Sequence, residues 1–118
     1  MKKRVFLSAT ALAAMSLPSL SALAQSNTFK IGLILPMTGQ QASTGRQVEA
    51  GVRLYMAQNG DMVAGKKVEL IVKDDTSLPD VTKRLAQELV VNDKVNVLAG
   101  FGITPSALAT APIATQSK

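Results

Sequence analysis

From Phe29 to Leu35 the chain reads FKIGLIL, and Ile31, Leu33, Ile34 and Leu35 leave almost no polar interruption. A strand with one wet face alternates between apolar and polar residues. An unbroken run predicts a strand buried on both faces, as in a parallel sheet. Pro36, which has no N–H to donate, ends this strand, and a polar loop follows over 36–43. A helix is then expected from Thr44 to about Gln58, opened by the capping-box pair Thr44 and Gln47. Val48, Val52 and Tyr55 recur at helical spacing, with Ala50, Gly51 and Met56 beside them, so this stripe is expected to face a sheet. Gly51 on the stripe would allow close approach, and Asn59-Gly60 is a stop signal.

Two further strand–helix units follow. After the turn at Ala64 to Lys67, residues 67–73 alternate, with Val68, Leu70 and Val72 set against Glu69, Ile71 and Lys73. That pattern suits a partly wet strand near a sheet edge. Asp74 to Ser77 reads as a polar turn. Pro79 and Asp80 open a helix whose buried stripe is Val81, Leu85, Leu89 and Val90, with Ala86 beside it. Lys83, Arg84, Gln87 and Glu88 face water in this reading, and Asn92-Asp93 ends the helix. Val95 to Ala99 is a short third strand, followed by a flexible loop at Gly100 to Gly102. Thr104 as N-cap and Pro105 at the first position start a third helix, which Pro112 should kink or interrupt. Six alternating elements with short links predict an α/β fold, an open doubly wound parallel sheet with right-handed crossovers.

The first 24 residues stand apart from this pattern. Lys2, Lys3 and Arg4, the apolar stretch Val5 to Leu17 and the Ala22-Leu23-Ala24 site have the three parts of a cleaved secretory signal, which would leave Gln25 first. Pro18, Ser19 and Ser21 break the stretch too early for a bilayer span. Without the three basic residues of the signal, ten Lys and Arg face eight Asp and Glu, a net charge of +2 rather than +5. With no basic stripe and few aromatics, nucleic-acid binding has no support. There is no cysteine for a disulfide framework or a lipid anchor, and no histidine for Ser-His-Asp or Cys-His catalysis.

Three segments can carry chemistry. Loop 100–106 leaves the carboxyl end of a strand and opens a helix, where free N–H groups and the dipole favour an anion. The hydroxyls of Thr104 and Ser106 add donors there, although Thr104 can equally serve as nothing more than its own helix cap. A small carboxylate suits this loop better than a pyrophosphate, because no GxGxxG or GKS/T is present. Loop 36–44 shares the same crevice if the first and third strands are neighbours, and Thr38, Ser43 and Thr44 would then line one wall. Asp74-Asp75 reads as a solvated turn. The competing reading is a small metal-dependent hydrolase built on those two carboxylates.

PMTGQQASTG after the first strand, VKDD at the end of the second and AGFGITPSALATAPIA after the third together resemble the leucine/isoleucine/valine-binding family. These are type I periplasmic binding proteins that serve ABC importers. The resemblance implies a Rossmann-like lobe with sheet order 2-1-3-4-5, one of two lobes that close on a small ligand. It implies that Thr104, with the backbone amides around it at Ile103 and Ser106, holds the ligand carboxylate. Thr44 stands where the family often carries an aromatic over the ligand side chain, and Ser77 and Ile103 stand where some members place a disulfide. The implied protein is periplasmic and not an enzyme, requires no cofactor and has no lipid anchor. It would deliver an amino acid of the branched-chain type, or a related small carboxylate, to a permease in the inner membrane. The same fold also serves as the ligand-sensing domain of regulators. Family members are several-fold longer, so residues 25–118 are expected to be the N-terminal part of the first lobe.

Overall fold

A computed structural model describes residues 27–117; the expected signal over 1–24 lies outside them. The elements are β1 (Thr28–Leu35), α1 (Ala42–Asn59), β2 (Met62–Val63), β3 (Lys66–Asp74), α2 (Pro79–Val91), β4 (Val97–Gly100) and α3 (Thr104–Gln116). The sheet order is β2-β3-β1-β4. As its apolar run requires, β1 is central, paired in parallel with β3 over its whole length and with β4 from Ile31 to Ile34. The alternating strand, β3, lies next to the edge. Beyond it is only β2, a two-residue antiparallel strand that the hydrophobic pattern did not announce. Ala64 and Gly65, with φ of 50° and 76°, make the tight turn between them.

The crossover through α1 runs from β1 to β3 and the one through α2 runs from β3 back past β1 to β4, so with the same hand their helices lie on opposite faces. Gly32 and Ile34 point toward α2. Ile34 forms a buried cluster with Leu85, Ala86 and Leu89, and Ile71, Val81, Val95, Leu98, Phe101 and Ile113 pack around it. The predicted α2 stripe is thus in place. Thr82, a polar residue, shares the buried side.

The α1 face is different. Leu33 and Leu35 are buried, but Val48, Leu54 and Tyr55 of α1 are exposed, the last at 66 %. The stripe expected to cover the sheet therefore does so only in part, and nothing lies within 4 Å of a methyl placed on Gly51. Two other expectations fail at helix ends. The first helix begins at Ala42 with Gln41 as its cap and no side-chain cap bond, so Thr44 lies inside the helix and the Thr44–Gln47 box does not form. The third helix also lacks a side-chain cap bond and continues through Pro112 to Gln116. Proline breaks a helix by removing one N–H and crowding the carbonyl four residues back. Here that residue is Leu108, which is 69 % exposed. Among the described residues no helix is long and apolar enough to cross a membrane.

Candidate ligand site at the carboxyl end of the sheet

The neighbours β1 and β4 run in parallel, so their carboxyl-end loops emerge side by side, as expected from the sequence. The Phe101 N–H donates to the Ile34 carbonyl at 2.8 Å, extending the ladder one step beyond β4. The stretch 100–102, read from the sequence as a flexible loop, is closely packed against β1 and its loop. Gly100 has φ of 105°, and a methyl there would collide with the Ile34 carbonyl. A methyl on Gly102 would lie 2.5 Å from Pro36 Cγ. Glycine is needed at 100 for its positive φ and its approach to the Ile34 backbone, and at 102 for its approach to the Pro36 ring. The start of α3 is thereby set against Pro36.

The loop after β1 is held from the other side. Asp74 Oδ1 accepts the N–H groups of Met37 at 2.9 Å, Thr38 at 3.2 Å and Thr76 at 2.8 Å, and Oδ2 accepts the Thr38 hydroxyl at 2.7 Å. Partial burial pushes the Asp74 carboxyl up, but these donors, led by the Thr38 hydroxyl, outweigh it and hold the group below its ordinary value. Ser77 Oγ adds a contact to the Thr38 carbonyl and accepts the Gln41 N–H, both at 3.4 Å.

Asp75 points the other way and is 1 % exposed. Its Oδ1 accepts the Ser77 N–H at 3.0 Å, and its Oδ2 accepts the Thr82 hydroxyl at 2.8 Å. Thr82 Oγ1 lies 2.8 Å from Ser106 Oγ. The Thr82 hydroxyl proton is shared between the Asp75 carboxylate and the Leu78 carbonyl at 2.9 Å, which leaves the Ser106 hydroxyl to donate to Thr82 Oγ1. The pair read as a solvated turn is therefore two separate anchors. Among the described residues no cluster of three His, Cys, Asp or Glu is placed to hold a metal.

The five expected site residues fall into two groups. Thr104 is exposed at the first position of α3, where no side-chain cap bond forms, and Ile103 lies half-buried just before it. Thr44 is exposed within the first turn of α1. In contrast, the Thr38 hydroxyl is bound by Asp74, and Ser106 is fully buried against Thr82. The Ser106 N–H also turns inward, to the Ile103 carbonyl at 3.1 Å. Residues missed as structural supports of this region are Asp74, Asp75 and Thr82. For the two carboxylates the signal was available in the D-D-T-S spelling, since Asp favours bonds to the N–H two residues on, as both do here.

The described residues also form two hollows, of about 240 and 450 Å³, both at the amino end of the sheet.

A doubly wound lobe with paired loops at the carboxyl end of its central strands is the architecture of a ligand-binding α/β domain. Residues 28–118 match the model of the periplasmic binding protein family, to which this chain belongs. A Leu/Ile/Val-binding protein homologue from Brucella abortus (strain 2308) is 43 % identical over 108 residues, covering 91 % of this chain and 27 % of that protein. Among solved structures, a solute-binding protein of an ABC transporter from Rhodopseudomonas palustris BisB5, in complex with 3,4-dihydroxybenzoic acid, is 69 % identical. It aligns with a TM-score of 0.75 over 76 % of this chain and 25 % of its own. A leucine-binding protein from Thermotoga maritima is 32 % identical, with a TM-score of 0.71 over 75 % of this chain and 25 % of its own. This chain thus spans about a quarter of the length of these relatives. The expected fold class agrees with that family, and the sheet contains the 2-1-3 part of the expected strand order as β3-β1-β4.

Proposed function

We propose that the protein containing this chain is the periplasmic solute-binding component of an ABC importer, exported by the signal over 1–24, and that it carries a small carboxylate to its inner-membrane permease. The observation that carries the reading is Thr104. It is an exposed hydroxyl residue at the start of a 13-residue helix, with no cap bond to its side chain, against the loop of the central strand. Helix-terminal N–H groups, the dipole and a hydroxyl favour an anionic oxygen at this point. Ile103 and Thr104 supply main-chain donors, while Thr44 lines the wall formed by α1. Thr38 and Ser106, whose hydroxyls are engaged internally, hold the loops in shape.

Within the carboxylates, a hydroxylated benzoate is the best-supported ligand. The 69 % identical relative was solved with 3,4-dihydroxybenzoic acid, and small Thr44 leaves room for a flat ring. A branched-chain amino acid is the second reading, supported by the Brucella homologue. Titration of the full-length protein with 3,4-dihydroxybenzoate and with leucine separates the two. Thr104→Ala should weaken binding of the preferred ligand by about 1.5–3 kcal/mol, the value of a hydrogen bond to a charged group. Unchanged affinity in that variant would remove Thr104 from the site.

A further inference from the structure

We propose that the adjacent carboxylates Asp74 and Asp75 act as a two-way clasp that positions both loops of the ligand crevice. Asp74 sets the loop after β1, and Asp75 sets the start of α3 through Thr82 and Ser106. The inference rests on the reading that these loops meet a carboxylate ligand, and it assigns positioning residues that do not themselves touch it.

The geometry is divided cleanly between the two side chains. All four donors to Asp74 come from Met37, Thr38 and Thr76. Asp75 has no donor in common with it; its donors are Ser77 and Thr82. Thr82 sits on α2 and Ser106 on the first turn of α3, so a single line of hydroxyls joins the end of β3 to the helix that carries Thr104. Thr82 and Ser106 are both fully buried. A buried hydroxyl left without its partner is costly, which makes the line intolerant of displacement. The turn that sends the two carboxylates apart places Thr76 and Ser77 at φ of 54° and 64°. Left-handed backbone at a β-branched residue persists only where surrounding contacts hold it. The bonds from Thr76 to Asp74 and from Ser77 to Asp75 are those contacts. The arrangement therefore spends local strain to aim one carboxylate at each loop.

The test uses the full-length protein and two independent readouts. The first is amide hydrogen exchange without ligand. Asp74→Ala should speed exchange at residues 37, 38 and 76 and leave the hydrogen-bonded amides of 106 and 107 unchanged. Thr82→Val, which keeps the shape and removes the hydroxyl, should do the reverse. The second is affinity for 3,4-dihydroxybenzoate and for its carboxamide. Each variant should weaken binding of the acid about tenfold, and Thr82→Val should also narrow the preference for acid over amide. Thr82→Ser keeps the hydroxyl and should stay within about twofold of the parent. Unchanged exchange in either variant overturns the clasp, as does a Thr82→Ser protein as weak as Thr82→Val, which would mean packing alone. Faster exchange with unchanged affinity overturns the positioning role. A parent protein that binds acid and amide equally well instead refutes the carboxylate reading, and exchange together with the acid affinities still decides the clasp.

Discussion

The two faces of the sheet end in different states: Phe29, Ile31, Leu33, Leu35, Val68, Leu70, Val72 and Val97 share the α1 face, whereas Ile34, Ile71 and Leu98 share the α2 face. On the α2 side, Ile34, Leu85, Ala86 and Leu89 are closed over by neighbours from two helices. On the α1 side, one helix serves three strands, and among the described residues no second element joins it. Phe29, Val63 and Val97 stay at least a third exposed, and an apolar hollow of about 450 Å³ opens beside Phe29, Ile31 and Val68. A helix is roughly 10 Å wide, about two strand spacings, so one helix cannot cover a sheet of this breadth. The difference shows that the degree of burial of an apolar stripe depends on how many elements share the layer.

The largest effects should fall on the closed face. Leu89→Ala is expected to cost about 2–5 kcal/mol, as for other buried leucines, measured as a shift in the urea midpoint. Tyr55→Ala in the same chain should change stability by no more than about 0.5 kcal/mol. Equal losses would erase the contrast between the faces.

A pair of identical substitutions sharpens the comparison further. A methyl on Gly32 would lie 2.9 Å from Leu89 Cδ1 and 3.2 Å from Leu98 Cδ2. Gly32→Ala should therefore destabilise by about 1–3 kcal/mol. Gly51→Ala meets open space on α1 and gains helix propensity, so it should stabilise by about 0.5–1 kcal/mol. Opposite signs in thermal melts are the expected outcome, and a loss at Gly51 would show that the α1 face is closed after all.

The carboxyl-end loops add a pH signature. The Asp74 carboxyl is held below its ordinary value near 3.8. Its contribution is thus fully present above that pH and is lost as pH falls through the lower folded value. Asp74→Asn should flatten the fall in stability below pH 4, and an unchanged acid limb would show that Asp74 does not hold the loop.

The smallest effect belongs to the rim of the closed face, where Lys73 Nζ lies 2.7 Å from Glu88 Oε1. The hydrogen bond between them raises the lysine and lowers the glutamate. The pair is therefore intact from the ordinary glutamate value of 4.5 up to the ordinary lysine value of 10.5. Glu88→Gln should lower the melting temperature slightly in dilute buffer and not at all at high salt.

Much of this architecture was legible in the residues. The unbroken run Ile31 to Leu35 could only be a central strand, and the alternation of Val68 to Lys73 marked its edge-side neighbour. Pro79 and the spacing of Leu85 and Leu89 located α2 and its buried side. These are local properties, because each depends on periodicity, on a missing N–H or on a side chain's cost in water. The helix starts were less readable: Thr44 and Thr104 have cap-forming side chains, yet the cap bonds are absent because neighbouring loops set where each helix begins. Asp74 and Asp75 were the least readable of all. Two adjacent carboxylates spell a wet turn until the fold supplies donors, and those donors lie 36 residues back at Thr38 and 7 residues on at Thr82. Whether a polar group faces water or anchors a loop depends on partners distant in sequence, which only the packed structure brings within hydrogen-bond reach.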